Sequence, residues 1–256
     1  MAKVQPASKD VLGYRMKFGV IAPSTNTIVQ PEFGWMAPKG VTNHFSRIHI
    51  PDDPLGSDAD FEELMVRIRA ELMQAVDRVM TARPGAIVMG MSSETFWGGL
   101  AGSMELKAKL KARADGLPIA MGSDASQAAL KCYGDIKRIS VITPYMPVGD
   151  GEVRKFFGDC GFEVMAVTGL KCPSPTAIAH VDAKTLRDAV NEVNDSQVEA
   201  ILQVGTNLAF ANIAPMAEFL LDKPVLAINT ATYWHGLRMN GIQDRMQGFG
   251  SLLEDY

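Results

Sequence analysis

The run Gly19-Val20-Ile21-Ala22-Pro23-Ser24 is answered in the second half of the chain by Ser140-Val141-Ile142-Thr143-Pro144-Tyr145. Two further pairs follow in the same order. Ala86-Ile87-Val88-Met89-Gly90-Met91-Ser92 matches Ala200-Ile201-Leu202-Gln203-Val204-Gly205-Thr206, and Pro118-Ile119-Ala120-Met121-Gly122-Ser123 matches Pro224-Val225-Leu226-Ala227-Ile228-Asn229. The second copies lie roughly 105 to 120 residues after the first. Each member is a short apolar run that ends in small, hydroxyl or amide residues. Runs of this length and composition read as buried strands of a parallel sheet. Three of them repeated in order predict two like α/β halves whose polar strand ends face one cleft.

Working outward, residues 17–22 and 43–50 read as strands. Residues 58–81 place Phe61, Leu64, Met65, Ile68, Leu72, Val76 and Val79 on one helix face, and Arg83-Pro84-Gly85 stops that helix. Residues 86–91 and 117–121 are strands, 104–115 a helix with Gly116 as its C-terminal cap, and 126–133 a further helix. In the second half, strands are expected at 138–143, 163–168, 200–204 and 225–228, and helices at 149–160, 182–194, 215–221 and 232–239. Such alternation gives parallel, doubly wound sheets that bind ligands beyond the carboxyl ends of the strands. The fold class expected is α/β, with two pseudo-symmetric flavodoxin-like lobes and a cleft between them. Residues 16–128 plus 234–256 form the first lobe, the tail packing back on it. Residues 129–233 form the second lobe, and residues 1–15 a loose N-terminal arm.

Composition narrows the function classes. The chain has 256 residues, 47% of them apolar and 21% charged, so it can bury a substantial core. A net charge of −4 gives no footprint for nucleic acid. No apolar stretch is long enough to span a membrane, and the N-terminal residues lack the apolar core of a secretory leader. The three cysteines, Cys132, Cys160 and Cys172, cannot all pair and form no CxxC. They point to a reducing cytoplasm. Cys132 and Cys160 fall in helices and Cys172 before a proline, so all three read as structural thiols. No metal-ligand spacing, phosphate-binding loop or dinucleotide fingerprint is present.

The chemistry is expected in four strand-end loops: Pro23-Ser24-Thr25-Asn26, Ser92-Ser93-Glu94-Thr95, Pro144-Tyr145 and Gly205-Thr206-Asn207. Hydroxyls and backbone N–H groups near helix starts make a cradle for a carboxylate, although a lone Ser or Thr there often only caps a helix. Glu94 is the one acid in such a loop. It is a candidate general acid or base, or else a charge complementing a helix dipole. His235, in Tyr233-Trp234-His235, is a second candidate. Catalytic groups are therefore sought in Glu94, Tyr145 and His235. Substrate contacts are sought in Ser24, Asn26, Ser92, Ser93, Tyr145, Gly205, Thr206 and Asn207.

Several of these stretches resemble the aspartate/glutamate racemase superfamily, in its maleate cis-trans isomerase and arylmalonate decarboxylase branch. Gly19-Val20-Ile21-Ala22-Pro23-Ser24-Thr25-Asn26-Thr27 is similar to the isomerase opening, Phe45-Ser46-Arg47 to the strand after it, and Pro144-Tyr145-Met146 to the tyrosine loop. Ala179-His180-Val181-Asp182 resembles a shared helix start, and Phe96-Trp97 with Gly99 the decarboxylase's Phe-Tyr-x-Gly. The resemblance spans nearly the whole chain. It implies a cofactor-independent enzyme acting on a small carboxylate or dicarboxylate, and oligomerisation.

Isomerases and racemases of this kind use two cysteines, one after the middle strand of each half, and the decarboxylase keeps the second as a proton donor. The resemblance puts Met91 at the first of these positions and Gly205 at the second, so both usual thiols are absent from their places. What it carries over is the carboxylate cradle, onto Asn26, Ser92, Ser93, Tyr145 and Thr206. Three readings compete: a decarboxylase or isomerase with another proton carrier, a hydrolase or hydratase in which Glu94 activates water, and a carboxylate-binding protein without catalysis.

Overall fold

The computed structural model describes residues 10–256. Of the expected N-terminal arm, residues 1–9 lie outside the described part. Residue Arg15, just before the first strand, is tied at 2.5 Å to Asp244 in the tail.

Two four-stranded parallel sheets organise the chain. The first contains β1 (Met16–Pro23), β2 (Val41–Ile48), β3 (Ala86–Met89) and β4 (Ile119–Ala120) in the order β2-β1-β3-β4. The second contains β5 (Arg138–Thr143), β6 (Glu163–Gly169), β7 (Ala200–Gln203) and β8 (Val225–Ala227) in the order β6-β5-β7-β8. The orders are the same, which is the repeat seen in the sequence expressed as topology. Register follows suit: Ile21 of β1 lies beside Met89 of β3, and Ile142 of β5 beside Gln203 of β7. The six apolar runs that announce the repeat are β1, β3, β4, β5, β7 and β8.

These runs form strands because both faces are covered. Phe18, Val20, Ile21 and Ala22 of β1 are all fully buried, each of the larger ones worth about 1.5–3 kcal/mol on leaving water. The second sheet sorts its side chains by alternation. Ile139 and Val141 join the main core, while Ile142 joins a smaller core under the helices on the other face.

The helices are α1 (Val29–Trp35), α2 (Asp58–Met80), α3 (Ser93–Phe96), α4 (Gly99–Arg113), α5 (Gly122–Cys132), α6 (Pro147–Asp159), α7 (Ala183–Val193), α8 (Ala214–Leu221), α9 (Ile228–Met239) and α10 (Ser251–Asp255). α2 starts where Ser57 accepts a hydrogen bond from the Asp60 N–H at 3.2 Å, with Asp58 and Asp60 in its first turn and Arg78 in its last. None of the described helices is long and apolar enough to cross a membrane.

α9 begins at Ile228, four residues before the expected start, and although it follows the last strand of the second sheet, it packs on the first. Its Gly236 faces Val88 of β3 and Phe18 of β1, and a Cβ there would lie 3.1 Å from Val88 Cγ2. α9 also packs along α5, so the last helix of each half is shared at the junction. In the tail, Ser251 Oγ donates to Glu218 of α8 at 2.8 Å, while Leu252 and Leu253 are buried in the main core.

Because α9 crosses the first sheet at glycine distance, Gly236→Leu should lift it. A loss of about 1–3 kcal/mol is expected in urea unfolding. Unchanged stability would mean that α9 does not rest on β3 there.

Candidate active site

The carboxyl ends of both sheets point at one cavity of about 60 Å³, space for a few water molecules. Its lining comes from every strand end expected to contribute. Thr25 and Asn26 follow β1, Met91, Ser92 and Ser93 follow β3, Pro144 and Tyr145 follow β5, and Gly205, Thr206 and Asn207 follow β7. Neighbouring lobes meet here through buried polar groups. Ser92 Oγ is 2.9 Å from Tyr145 Oη and accepts the Gly205 N–H at 3.0 Å. Thr206 Oγ1 donates to the Gly90 carbonyl at 3.0 Å and accepts from Asn26 Nδ2 at 3.0 Å. Asn26 Oδ1 meanwhile takes the Ile28 and Val29 N–H groups at the start of α1. Asn207 Oδ1 accepts the Thr27 N–H at 3.0 Å, and its Nδ2 donates to the Pro175 carbonyl at 2.9 Å.

Tyr145 is aimed from below. Thr143 Oγ1 accepts the Tyr145 N–H at 3.0 Å, and the same hydroxyl donates to Asp150 of α6. Burial raises the Tyr145 pKa further above its already high ordinary value. The ring is therefore a neutral hydrogen-bond donor in the neutral pH range.

The rest of the lining is apolar, with Phe61 packed on the Tyr145 ring at 5.3 Å between centroids. Phe61, Leu64, Met65 and Ile68 of α2 belong to it, with Ile50 and Leu55 from the loop after β2. No charged side chain lines the cavity among the described residues. Over it, residues 50–57 of the first half are joined to residues 170–181 of the second. Thr176 donates to the Asp52 carboxylate from its N–H at 2.9 Å and its Oγ1 at 2.5 Å, and the Leu55 N–H donates to the Pro173 carbonyl at 2.7 Å.

Asn26, Ser92, Ser93, Tyr145, Gly205, Thr206 and Asn207 thus lie on the cavity, as sought. Ser24, Glu94 and His235 do not. Ser24 is exposed and braces the sheet, its Oγ donating to the Ile50 carbonyl and accepting the Ile50 N–H, both at 3.1 Å. Glu94 is buried in α3, and its carboxylate takes Arg69 Nε at 2.6 Å, while Arg69 lies over the Trp97 ring. Burial raises its pKa and Arg69 works against that rise. Oε1 takes that pairing, Oε2 is buried with no hydrogen-bond partner among the described residues, and neither lines the cavity. His235 sits on α9 beside Trp234, with Nε2 3.7 Å from Asp124. Cys172, read as structural, instead lines the cavity and is 4% exposed. The α2 wall was visible as a helix face but not as a cavity face, since periodicity shows which side is buried and not against what.

Met91 and Gly205, at the two places where the resemblance puts cysteines, both line the cavity. Gly205 has φ of +100°, and a Cβ added there would fall 2.4 Å from Pro144 Cδ. The backbone at this strand end therefore admits no side chain without moving.

Behind the cavity, Glu32 of α1 is 2% exposed, and its carboxyl accepts Asn229 Nδ2 at 2.6 Å and the Ala211 N–H at 3.2 Å. Asn229 Nδ2 also donates to the Thr206 carbonyl at 2.9 Å. Burial raises the Glu32 pKa from 4.5 to about 7, against the lowering effect of the Asn229 and Ala211 hydrogen bonds.

Fold and site together define a two-lobed α/β protein whose strand ends meet at a cavity with no charged lining among the described residues. Residues 19–253 match the arylmalonate decarboxylase family, and the chain belongs to it. Solved structures of the same shape include the maleate cis-trans isomerase of Nocardia farcinica, 19% identical with a TM-score of 0.84 over 93% of this chain and 97% of that one. The maleate isomerase Iso(C200A) of Pseudomonas putida S16, determined with maleate, is 22% identical with a TM-score of 0.83 over 93% and 96%. An arylmalonate decarboxylase is 20% identical with a TM-score of 0.73 over 93% and 98%. No curated protein matches the chain by sequence.

Two predictions follow from the geometry. Gly205→Ala should cost about 1–3 kcal/mol in urea unfolding, from positive φ and the Pro144 contact together; a neutral effect would show that the strand end yields freely. The second concerns pH. Folded Glu32 keeps its proton to about pH 7, whereas the unfolded carboxyl loses it near 4.5. Between those values the folded chain holds more protons, so this stabilisation is complete below 4.5 and is lost as pH rises through 7. Relative to Glu32→Gln, the wild type should lose up to about 3 kcal/mol between pH 4.5 and 8. A pH-independent difference between the two proteins would refute it.

Proposed function

We propose that the protein is a cofactor-independent decarboxylase of a malonate bearing an apolar substituent on its α-carbon. The observation that carries this reading is the make-up of the cavity lining. Hydroxyls and amides from Asn26, Ser92, Tyr145 and Thr206 share it with the apolar side chains of Phe61, Leu64, Met65, Ile68 and Met91, and no cation lines it among the described residues. The polar groups suit one carboxylate. A second carboxylate on the same α-carbon then lies against hydrocarbon, where its charge is poorly solvated.

Breaking the bond from the α-carbon to that second carboxylate releases carbon dioxide, and the electron pair passes into the retained carboxylate as an enediolate. Ser92 and Tyr145 hydroxyls donate to the charge as it develops. A proton then reaches the α-carbon. Isomerisation of a cis-dicarboxylate fits less well, because both carboxylates would need polar cradles. The hydrolytic alternative needs Glu94 in the cavity, and Arg69 holds it elsewhere.

With 2-methylmalonate and 2-phenylmalonate as substrates, carbon dioxide should be released from at least one, leaving one solvent deuterium on the α-carbon in heavy water. Ser92→Ala should lower kcat by about 10- to 1,000-fold. Binding of both acids without gas would reject the decarboxylase reading.

A further inference from the structure

We infer that Cys172 supplies the proton to the α-carbon in this cavity, in place of a thiol at either strand end. The inference rests on the decarboxylase reading and adds the group that completes it.

The two places after β3 and β7 are held by Met91 and Gly205, neither of which carries an exchangeable proton on its side chain. At Gly205 the reason is steric. Pro144 occupies the volume that a side chain would need, with Cδ 2.4 Å from the Cβ position. The same proline has a second role. Its carbonyl accepts the Cys172 N–H at 3.0 Å, which draws the loop after β6 against the strand end of β5. β5 and β6 are adjacent, with Thr143 beside Gly169, so Tyr145 and Cys172 leave neighbouring strand ends two and three residues beyond that pair. One residue at the end of β5 thus closes the position after β7 to any side chain and anchors a cysteine after β6, on the other side of β5.

The surroundings of Cys172 select a role for it. Its Sγ has no hydrogen-bond partner among the described residues, although it is 4% exposed and lines the cavity. Lys171 precedes it in the chain, yet no charged group among the described residues shifts its titration. Burial alone moves its pKa, pushing it up to about 11. At neutral pH the group is a thiol: a proton donor, and a poor nucleophile for addition to a double bond. In the step, the S–H bond breaks as the new C–H bond forms at the α-carbon of the enediolate. The retained carboxylate is restored, and the resulting thiolate takes a proton from water after product leaves. Cys132 and Cys160 do not line this cavity and serve as internal controls.

The test uses 2-methylmalonate and 2-phenylmalonate with the wild type, Cys172→Ser, Cys172→Ala and Cys160→Ser. Carbon dioxide release and deuterium incorporation are measured, and folding is checked by circular dichroism. Alkylation of each cysteine by iodoacetamide is followed by mass spectrometry, with and without phenylacetate. The expected result is a fall in kcat of at least about 100-fold in both folded Cys172 variants and none in Cys160→Ser. Phenylacetate should slow alkylation at Cys172 and leave Cys160 unaffected. Wild-type rates in folded Cys172→Ser and Cys172→Ala would overturn the assignment and leave the decarboxylase reading standing. A wild type that releases gas from neither acid would remove both. Should both variants fail to fold, alkylation decides: persistent activity after complete carbamidomethylation of Cys172 in the wild type would overturn the proposal, and loss of activity in step with it would uphold it.

Discussion

The short polar joint at the bottom of the cavity is the constraint on which the rest depends. Ser92 comes from one half of the chain, Tyr145 and Gly205 from the other, and their three groups close on one another within 3.0 Å. Buried hydrogen-bonding groups that lose a partner cost about 1–3 kcal/mol each, so the halves cannot slide without leaving several unmet. The Asn26–Thr206 and Asn207–Thr27 bonds tighten the same joint from the side. An apolar seam would have tolerated many relative positions of the two sheets; this one tolerates few. The groups that a substrate would meet are therefore also the groups that hold the lobes in register.

The duplicated plan is used unequally. Both sheets have the same strand order, and both halves supply hydroxyl and amide groups to the cavity, Asn26, Ser92 and Ser93 from the first and Tyr145, Thr206 and Asn207 from the second. The first half alone, however, adds α2, whose buried face walls the cavity. α9 crosses to the first sheet and knots the halves together. Symmetry of fold thus delivers asymmetry of site.

Much of this was legible in the sequence, and the failures have physical causes. Strands of four or more apolar residues could be read because burial on both faces leaves an unbroken hydrophobic run. Seven of the eight residues sought as substrate contacts lie on the cavity, because a parallel sheet fixes where the residue after a strand must be. Glu94 shows the limit of that rule. Two residues further on, a short helix turns the side chain away, and the decisive partner, Arg69, is 25 positions distant on α2. The place of Cys172 on the cavity was not legible. A cysteine before a proline in a loop carries no periodic signal, and its N–H meets the Pro144 carbonyl 28 positions earlier in the chain. α1 and α3, with seven and four residues, were too short to show a helical pattern at all.

The three hydrogen bonds that join residues 50–57 to residues 170–181 set a conformational threshold. Two of them go to the Asp52 carboxylate, and parting the segments would also uncover Ile50, Leu55 and Cys172, each at most 5% exposed. An open state therefore costs at least about 3 kcal/mol and is populated by no more than on the order of one molecule in a hundred. Any ligand larger than the resting cavity must capture that minority. Its apparent affinity is then weaker than its intrinsic affinity by a comparable factor. The loss applies equally to every ligand of that kind, so discrimination among them is left to the cavity walls.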